Sequence, residues 1–294
     1  MKHLTLPGEL FAFTTITLWS SNALISEHLK SVAPIEISFF RWLLAFLCLL
    51  PLTFKNIKEH KNTLIQHWKF FGGLALCLAI ENAFFYRAGH TTDAVNISLF
   101  SSSMPLFLLL FEALFMKNAL TLSQIIGVFL AAISVLYAIL HGDFRRLADL
   151  SFKVGDLYAL CSVFCLSLYT FLQRRRTGAI SDLTFLTLLS GGIALLNFPA
   201  FIHYELKTGN LLTFTRTDIA VLLYLGIGIS FISYLCWEIA AKKIGPLKTG
   251  FIHYFSIPIT ALLNFIVMGI PISPFQILSC GGLIFSSLLM RKKS

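Results

Sequence analysis

The chain has 294 residues, of which 56% are hydrophobic and only 13% charged, with a mean hydropathy of +0.79 and a formal charge of +9. So few charges cannot coat a water-soluble globule of this size, and nearly all the Lys and Arg lie between apolar runs, so the positive charge reads as loop charge and not as a nucleic-acid surface. All six cysteines (Cys48, Cys77, Cys161, Cys165, Cys236 and Cys280) fall inside apolar runs, which leaves no disulfide or zinc framework in the loops.

Ten apolar runs follow one another, at approximately 7–26, 34–54, 69–88, 94–116, 123–141, 155–173, 181–203, 217–240, 246–268 and 273–290. In hydrocarbon the backbone must satisfy its own hydrogen bonds, and consecutive Leu, Ile, Phe and Ala suit helices better than alternating barrel strands. The expected fold is therefore an all-α membrane protein of ten transmembrane helices. The first run follows Met1-Lys2-His3, lacks a small-residue cleavage site and leads directly into further runs, so it reads as a span and not as a leader. The longer polar connections are Lys55–Trp68, Gly142–Val154 and Tyr204–Arg216. Cys161 and Cys165, four apart in the sixth run, are expected to be small buried hydrophobes before they are a metal pair.

Placing the N-terminus in the cytoplasm puts 15 Lys and Arg on the inner side, including Lys55, Lys117, Arg174–Arg176, Lys242 and Arg291–Lys293. The outer side then holds 7, among them Lys30, Arg87, Arg146 and Lys153. The bias favours an inner (cytoplasmic) membrane protein with both termini in the cytoplasm.

The two halves echo each other. Gly8-Glu9-Leu10-Phe11-Ala12 returns as Gly155-Asp156-Leu157-Tyr158-Ala159, and Ser103-Met104-Pro105-Leu106 as Ser256-Ile257-Pro258-Ile259. Leu120-Thr121-x-x-Gln124 returns as Ile272-Ser273-x-x-Gln276. Each half, 6–141 and 155–290, holds five spans. An odd number turns the second copy upside down, giving two inverted five-helix repeats with a substrate site at their interface.

Four segments carry a family resemblance: Leu18-Trp19-Ser20-Ser21-Asn22, Phe39-Phe40-Arg41-Trp42, Thr91-Thr92-Asp93-Ala94-Val95-Asn96 through Pro105, and Tyr234 through Gly245 to Pro258. On these the chain resembles a transporter of the drug/metabolite transporter (DMT) superfamily, EamA-domain type, over essentially its whole length. The resemblance implies a central cavity lined by spans 1, 3, 4, 6, 8 and 9. Where that family often carries Gly-Glu after spans 4 and 9, this chain has Lys117-Asn118 and Gly269-Ile270. Substrate does not transfer with fold.

Several polar and aromatic residues fall within the spans. Arg41 and Glu81 each lie seven residues, roughly 10 Å, from the outer end of spans 2 and 3. They are expected to meet as a structural ion pair, with recognition of a substrate carboxylate or proton coupling as the functional reading. Glu36 and Arg87 are expected to pair nearer the surface, and Glu238 with Lys242 at i,i+4 spacing. The expected substrate-binding set is Trp19, Asn22, Glu81, Asn82, Tyr234, Trp237, His253 and Tyr254. Pro105 and Pro258, matched mid-span prolines, are the expected hinges, with Ser101, Ser102 and Ser103 able to satisfy the carbonyls they free.

The expected activity is alternating-access transport of a small amphipathic organic metabolite: an amino acid, nucleoside or cofactor-like molecule. A lipid-carrier flippase of the same superfamily, an integral membrane transferase and a non-transporting scaffold are the alternatives. The sequence has no D-D-x-x-D, H-x4-D or H-E-x-x-H motif for the transferase and no nucleotide-binding loop. No cofactor, metal or nucleic acid is expected. The expected partners are the metabolite, the lipid bilayer and protons as a coupling ion, for a monomer or homodimer.

Overall fold

A chain surrounded by hydrocarbon closes its backbone hydrogen bonds within each segment, and these apolar runs do so as helices. The computed structural model describes residues 7–116, 121–140, 142–145, 154–176, 178, 180–209 and 214–290. Among the residues singled out from the sequence, Met1, Lys2, His3, Lys117, Asn118, Leu120, Arg146, Lys153 and Arg291–Lys293 lie outside the described residues.

The first half holds α1 (Gly8–His28), α2 (Pro34–Glu59), α3 (Lys61–Gln66), α4 (Trp68–Thr91), α5 (Ala94–Ser101), α6 (Met104–Met116) and α7 (Leu122–Ile139). The second holds α8 (Val154–Leu172), α9 (Asp182–Thr208), α10 (Arg216–Tyr224), a π-helical stretch (Leu225–Ser233) that runs into α11 (Tyr234–Ile244), then α12 (Pro246–Ile252), α13 (Ser256–Met268) and α14 (Pro274–Met290). Among the described residues, seven helical stretches are long and apolar enough to cross a membrane. The fifth and tenth expected spans are apolar but shorter, at Leu122–Tyr137 and Pro274–Ser286. The first has the length, but α1 carries Thr14, Thr15, Thr17, Ser20, Ser21, Asn22 and Ser26. Thr14 and Thr17 return their hydroxyls to carbonyls four residues back, so they can face lipid without an unpaired donor. Thr15, Ser20, Asn22 and Ser26 are buried in the bundle.

The polar connection expected at Lys55–Trp68 is helical, because its Lys, Glu, Gln and Leu are good helix formers and extend α2 before α3 begins. Both mid-span prolines coincide with a break. Span 4 is interrupted at Ser102–Ser103, just ahead of Pro105, and span 9 by a 3₁₀ turn at His253–Phe255, just ahead of Pro258. Ser102 and Ser103 donate to the carbonyls of Ser98 and Phe100 at 2.8 and 2.7 Å, compensating the disturbed ladder. Pro51 in α2 and Pro199 in α9 form a second pair within helices.

The helices pack α4 on α8, α2 on α9, α7 on α14, α1 on α11 and α13, and α5 on both α8 and α13. Association between helices in lipid depends on close packing and small polar groups. Thr53 meets Thr187 at 2.9 Å and Asn197 donates to Ser38 at 3.0 Å between α2 and α9. Ser98 meets Thr260 at 2.7 Å between α5 and α13, and Ser286 donates to Gly127 O at 2.6 Å between α14 and α7. Large apolar side chains such as Leu52, Leu114, Phe129, Leu195 and Leu206 remain on the outside, as a lipid-facing surface requires.

α1 and α4 touch closely at Gly89, where a Cβ would lie 2.5 Å from Ser26 Oγ and 2.6 Å from its backbone oxygen. Gly89→Ala is expected to force these helices apart and destabilise by about 1–3 kcal/mol. Gly73→Ala, which meets nothing within 4 Å, is expected to hold or raise stability through helix propensity. Thermal unfolding of the two variants in one detergent checks this; equal melting temperatures would refute the tight contact.

Candidate functional site

Burying charge among apolar helices requires that the protein itself solvate it, and the bundle does so around a cavity of about 40 Å³. Trp19, Asn22, Arg41, Glu81, Tyr234 and His253 line it together with Ser98, Ser101, Ser162 and Ser256. Arg41 of α2 is 1% exposed. Its Nε donates to Ser230 Oγ at 2.7 Å and its Nη1 to the Tyr86 hydroxyl at 2.5 Å, and Tyr86 passes the chain on to Asn22 Oδ1 at 3.0 Å. The guanidinium also lies 5.3 and 5.5 Å from the Trp42 and Tyr86 ring centres, within cation–π range. Glu81 of α4 accepts from Ser162 at 3.1 Å and from Asn82 Nδ2 at 2.7 Å.

The expected Arg41–Glu81 ion pair is not a contact pair: no Arg41 nitrogen lies within 4.0 Å of the Glu81 carboxylate. The matched depths are real in that both groups line one cavity, but each is held by neutral partners. Glu36 does not pair with Arg87 either. It accepts the Ala33 N–H at 2.6 Å as an N-terminal cap, while Arg87 is exposed.

Trp19 is the centre of an aromatic wall. Its ring lies 4.8 Å from Trp237, 5.3 Å from Tyr234 and 5.9 Å from His253, and its Nε1 donates to Ser233 Oγ at 2.8 Å. Trp237 stands one layer behind, fully buried and bonded to Thr170 at 3.1 Å. Asn82 also stays outside the lining; it donates to Leu78 O at 2.8 Å and steadies Glu81. Tyr254 belongs elsewhere, packed with Leu99, Leu109, Ile257 and Leu283 in a separate core. Adjacent residues on a helix point in different directions, so His253 and Tyr254 do not share one cavity. His253 Nδ1 and Ser256 Oγ are buried without hydrogen-bond partners among the described residues, so polar atoms are left available at the cavity wall.

Tyr86, Ser162, Ser230 and Ser233 are the site residues that sequence reasoning missed. Small hydroxyls in apolar runs read as packing residues. The π-helical turn that aims Ser230 and Ser233 has no signature in a 3.6-residue pattern.

A second polar cluster surrounds Glu238. It does not pair with Lys242. Glu238 is 2% exposed and bonds Arg176 Nη1 at 3.2 Å and the Tyr169 hydroxyl. Arg176 also bonds Asp182, which takes Lys242 at 3.3 Å, and Arg174 bonds Glu112 of α6 at 3.3 Å. A cavity of about 240 Å³ lies among Gln173, Arg174, Arg176, Glu238 and Lys242. Arg176→Ala strands a buried carboxylate and is expected to cost about 3–5 kcal/mol. Lys242→Ala removes an exposed partner and is expected to cost at most about 1 kcal/mol. Chemical denaturation in micelles checks the contrast, and equal losses would overturn it.

Residues 6–140 match the EamA-like transporter family, and residues 153–291 match it again. The uncharacterized transporter YyaM of Bacillus subtilis (strain 168) is 28% identical over 199 residues, 67% of this chain and 64% of that protein's length. An uncharacterized transporter of Clostridium kluyveri is 22% identical over 274 residues, covering 89% of this chain and 86% of its own. One of Archaeoglobus fulgidus is 24% identical over 264 residues, covering 87% and 88%. A solved crystal structure superposes with a TM-score of 0.73 at 18% identity over 96% of this chain and 95% of its own, which establishes likeness of fold. The chain belongs to the EamA-like transporter family and is a multi-pass membrane protein.

Proposed function

We propose that this chain is a secondary transporter that carries a small amphipathic organic metabolite, such as an amino acid, nucleoside or cofactor-like molecule, across the cytoplasmic membrane by alternating access. The observation that carries the reading is the placing of Arg41 and Glu81, two opposite charges buried on one cavity wall without contact between them. Such a wall offers both a cationic and an anionic contact, and the Trp19 and Tyr234 rings offer an apolar face. A volume of about 40 Å³ holds a few water molecules and no metabolite, so on this reading the substrate is admitted when the bundle opens further.

The packing supports two inverted five-helix repeats over 6–141 and 155–290. Exchange of the halves carries α1 on α11 into α8 on α4, and α1 on α13 into α8 on α5 and α6, while α2 meets α9, α5 meets α13 and α7 meets α14. Matched breaks before Pro105 and Pro258 supply bending points where spans 4 and 9 cross at the cavity. The lateral groove between α1 and the span formed by α10 and the π-helical stretch is lined mainly by Leu10, Phe13, Leu18, Leu223, Ile227 and Ile232, with Thr14, Thr17 and Tyr224 its polar side chains, so this groove offers a lipid-carrier flippase little polar track.

Orientation is tested by fusing a reporter active only outside the cytoplasm. The Lys55–Trp68 segment and the C-terminus are expected to be silent and the Tyr204–Arg216 segment active. Activity at the C-terminus would overturn the topology. Function is tested by exchange of a labelled metabolite mixture across vesicles reconstituted with the protein. Trp19→Ala is expected to weaken apparent affinity about 2- to 30-fold, the loss of one aromatic contact. Arg41→Gln and Glu81→Gln are each expected to lower transport at least about 10-fold, with Leu288→Ala, on the exposed surface, unchanged. Unaltered exchange in the two charge variants would move the site out of this cavity.

A further inference from the structure

At the end of the bundle away from Arg174 and Arg176, three carboxylates from three helices meet. Glu36 opens α2, Glu205 lies in the last turn of α9 and Asp218 in the first turn of α10. All three are buried, at 9%, 7% and 5% exposure. Glu36 and Glu205 come together where α2 packs on α9, beside the stacked Phe39 and Phe201 rings, with Asp218 close by. Among the described residues, none of the three has a Lys, Arg or His nitrogen within 4.0 Å. Lys30, His203, Lys207 and Arg216, the cationic or titratable neighbours in sequence, are exposed, as is Arg87 at the end of α4.

Counting donors separates the three. Asp218 accepts Ser31 Oγ at 2.9 Å, Thr215 N at 2.9 Å and Thr215 Oγ1 at 2.7 Å, a set that suits an ionised carboxylate. Glu36 accepts the Ala33 N–H at 2.6 Å. Glu205 accepts nothing: both of its carboxylate oxygens are buried without a donor among the described residues. Two buried carboxyl groups brought together with no cation beside them need a proton between them, because two carboxylates both accept and neither donates. Below them Phe39 stacks on Phe201 at 4.5 Å, and Phe40 meets Phe201 and Phe214 at 5.3 Å, closing the site on its apolar side. Among the described residues no grouping of three or more His, Cys, Asp and Glu is placed to hold a metal ion.

We propose that Glu36 and Glu205 form a proton-binding site that latches α2 to α9 across the two halves of the chain. The two carboxyl groups share one proton held between them; on release the proton passes to water and leaves two facing negative charges. The latch is therefore closed when protonated and pushed apart when the proton is lost. This does not depend on the substrate or on the central cavity.

The test is infrared spectroscopy of the full-length protein in lipid, following the carbonyl stretch of protonated carboxyl groups as the pH is raised. Over the same pH range wild type is expected to lose the signal of one carboxyl group more than Glu205→Gln loses. Glu205→Gln, whose amide still donates to Glu36, is expected to lack that signal at every pH. Glu36→Gln is expected to lack it too although Glu205 remains, because the amide introduced at position 36 supplies the donor that the shared proton supplied. A purely structural role for Glu36 would leave the signal in place. The proposal is overturned if either variant keeps the wild-type titration, or if Ca²⁺ or Mg²⁺ raises the melting temperature of wild type but not of Glu205→Gln, which would make the site a metal site. If Glu205→Gln fails to fold, the Glu36→Gln titration decides.

Discussion

A guanidinium that water does not reach must be solvated by side chains, and Arg41 sets the positions of four spans by that demand. Its Nε needs Ser230 from the π-helical stretch, its Nη1 needs Tyr86 from α4, and Tyr86 in turn needs Asn22 from α1. α2 and the π-helical stretch can approach closely only because position 226 is glycine: a Cβ there would lie 2.7 Å from Leu44 Cβ and 3.3 Å from the Arg41 carbonyl. Trp42, fully buried beside Arg41, closes the apolar side and packs edge-on against Tyr234. Removing any of these partners leaves charge unsolvated in a low-dielectric interior, so the arrangement is held as a unit.

The π-helical stretch belongs to the same unit. Its wider turn swings residues three apart further round the helix than an α-helix would, and Ser230 and Ser233 use that divergence. One meets Arg41 on α2 and the other meets Trp19 on α1. The carbonyl of Ser233 is bound as well, by Thr15 at 2.9 Å. A widened turn inside a helix loosens the backbone ladder, and here side chains of a neighbouring span help to satisfy it.

Much of this was legible in the sequence, and what was not had a common cause. Lengths of apolar runs gave the helices, and matched prolines gave the breaks in spans 4 and 9, because both follow from backbone hydrogen bonding alone. Depth placed Arg41 and Glu81 at one level, and motif residues Trp19, Asn22, Tyr234 and His253 do line the cavity. Depth and spacing carry no azimuth, however. Glu238 has Lys242 at a favourable i,i+4 distance, yet Glu238 faces inward to Arg176 and Tyr169 while Lys242 extends outward toward Asp182 and remains 64% exposed. Tyr254 follows His253 and points into another core. Partners supplied by distant helices, such as Ser162 for Glu81, require the packing to be known first.

The absence of a direct Arg41–Glu81 bridge fits the proposed role of the cavity as a site that exchanges its ligand. A buried contact pair is costly to break, about 3–5 kcal/mol when one partner is lost, and a substrate competing with it would have to repay that at every cycle. Bonds from hydroxyls to a charged group are weaker, about 1.5–3 kcal/mol each, and they can be exchanged one at a time. Among the described residues the direct ion pairs lie away from the cavity, at Arg176 with Glu238 and Asp182, Lys242 with Asp182 and Arg174 with Glu112. At the cavity it uses serines and tyrosine around two charges that do not touch. Fixed pairing where helices are anchored, and replaceable solvation at the cavity, is the distribution that the proposed transport role asks of buried charge.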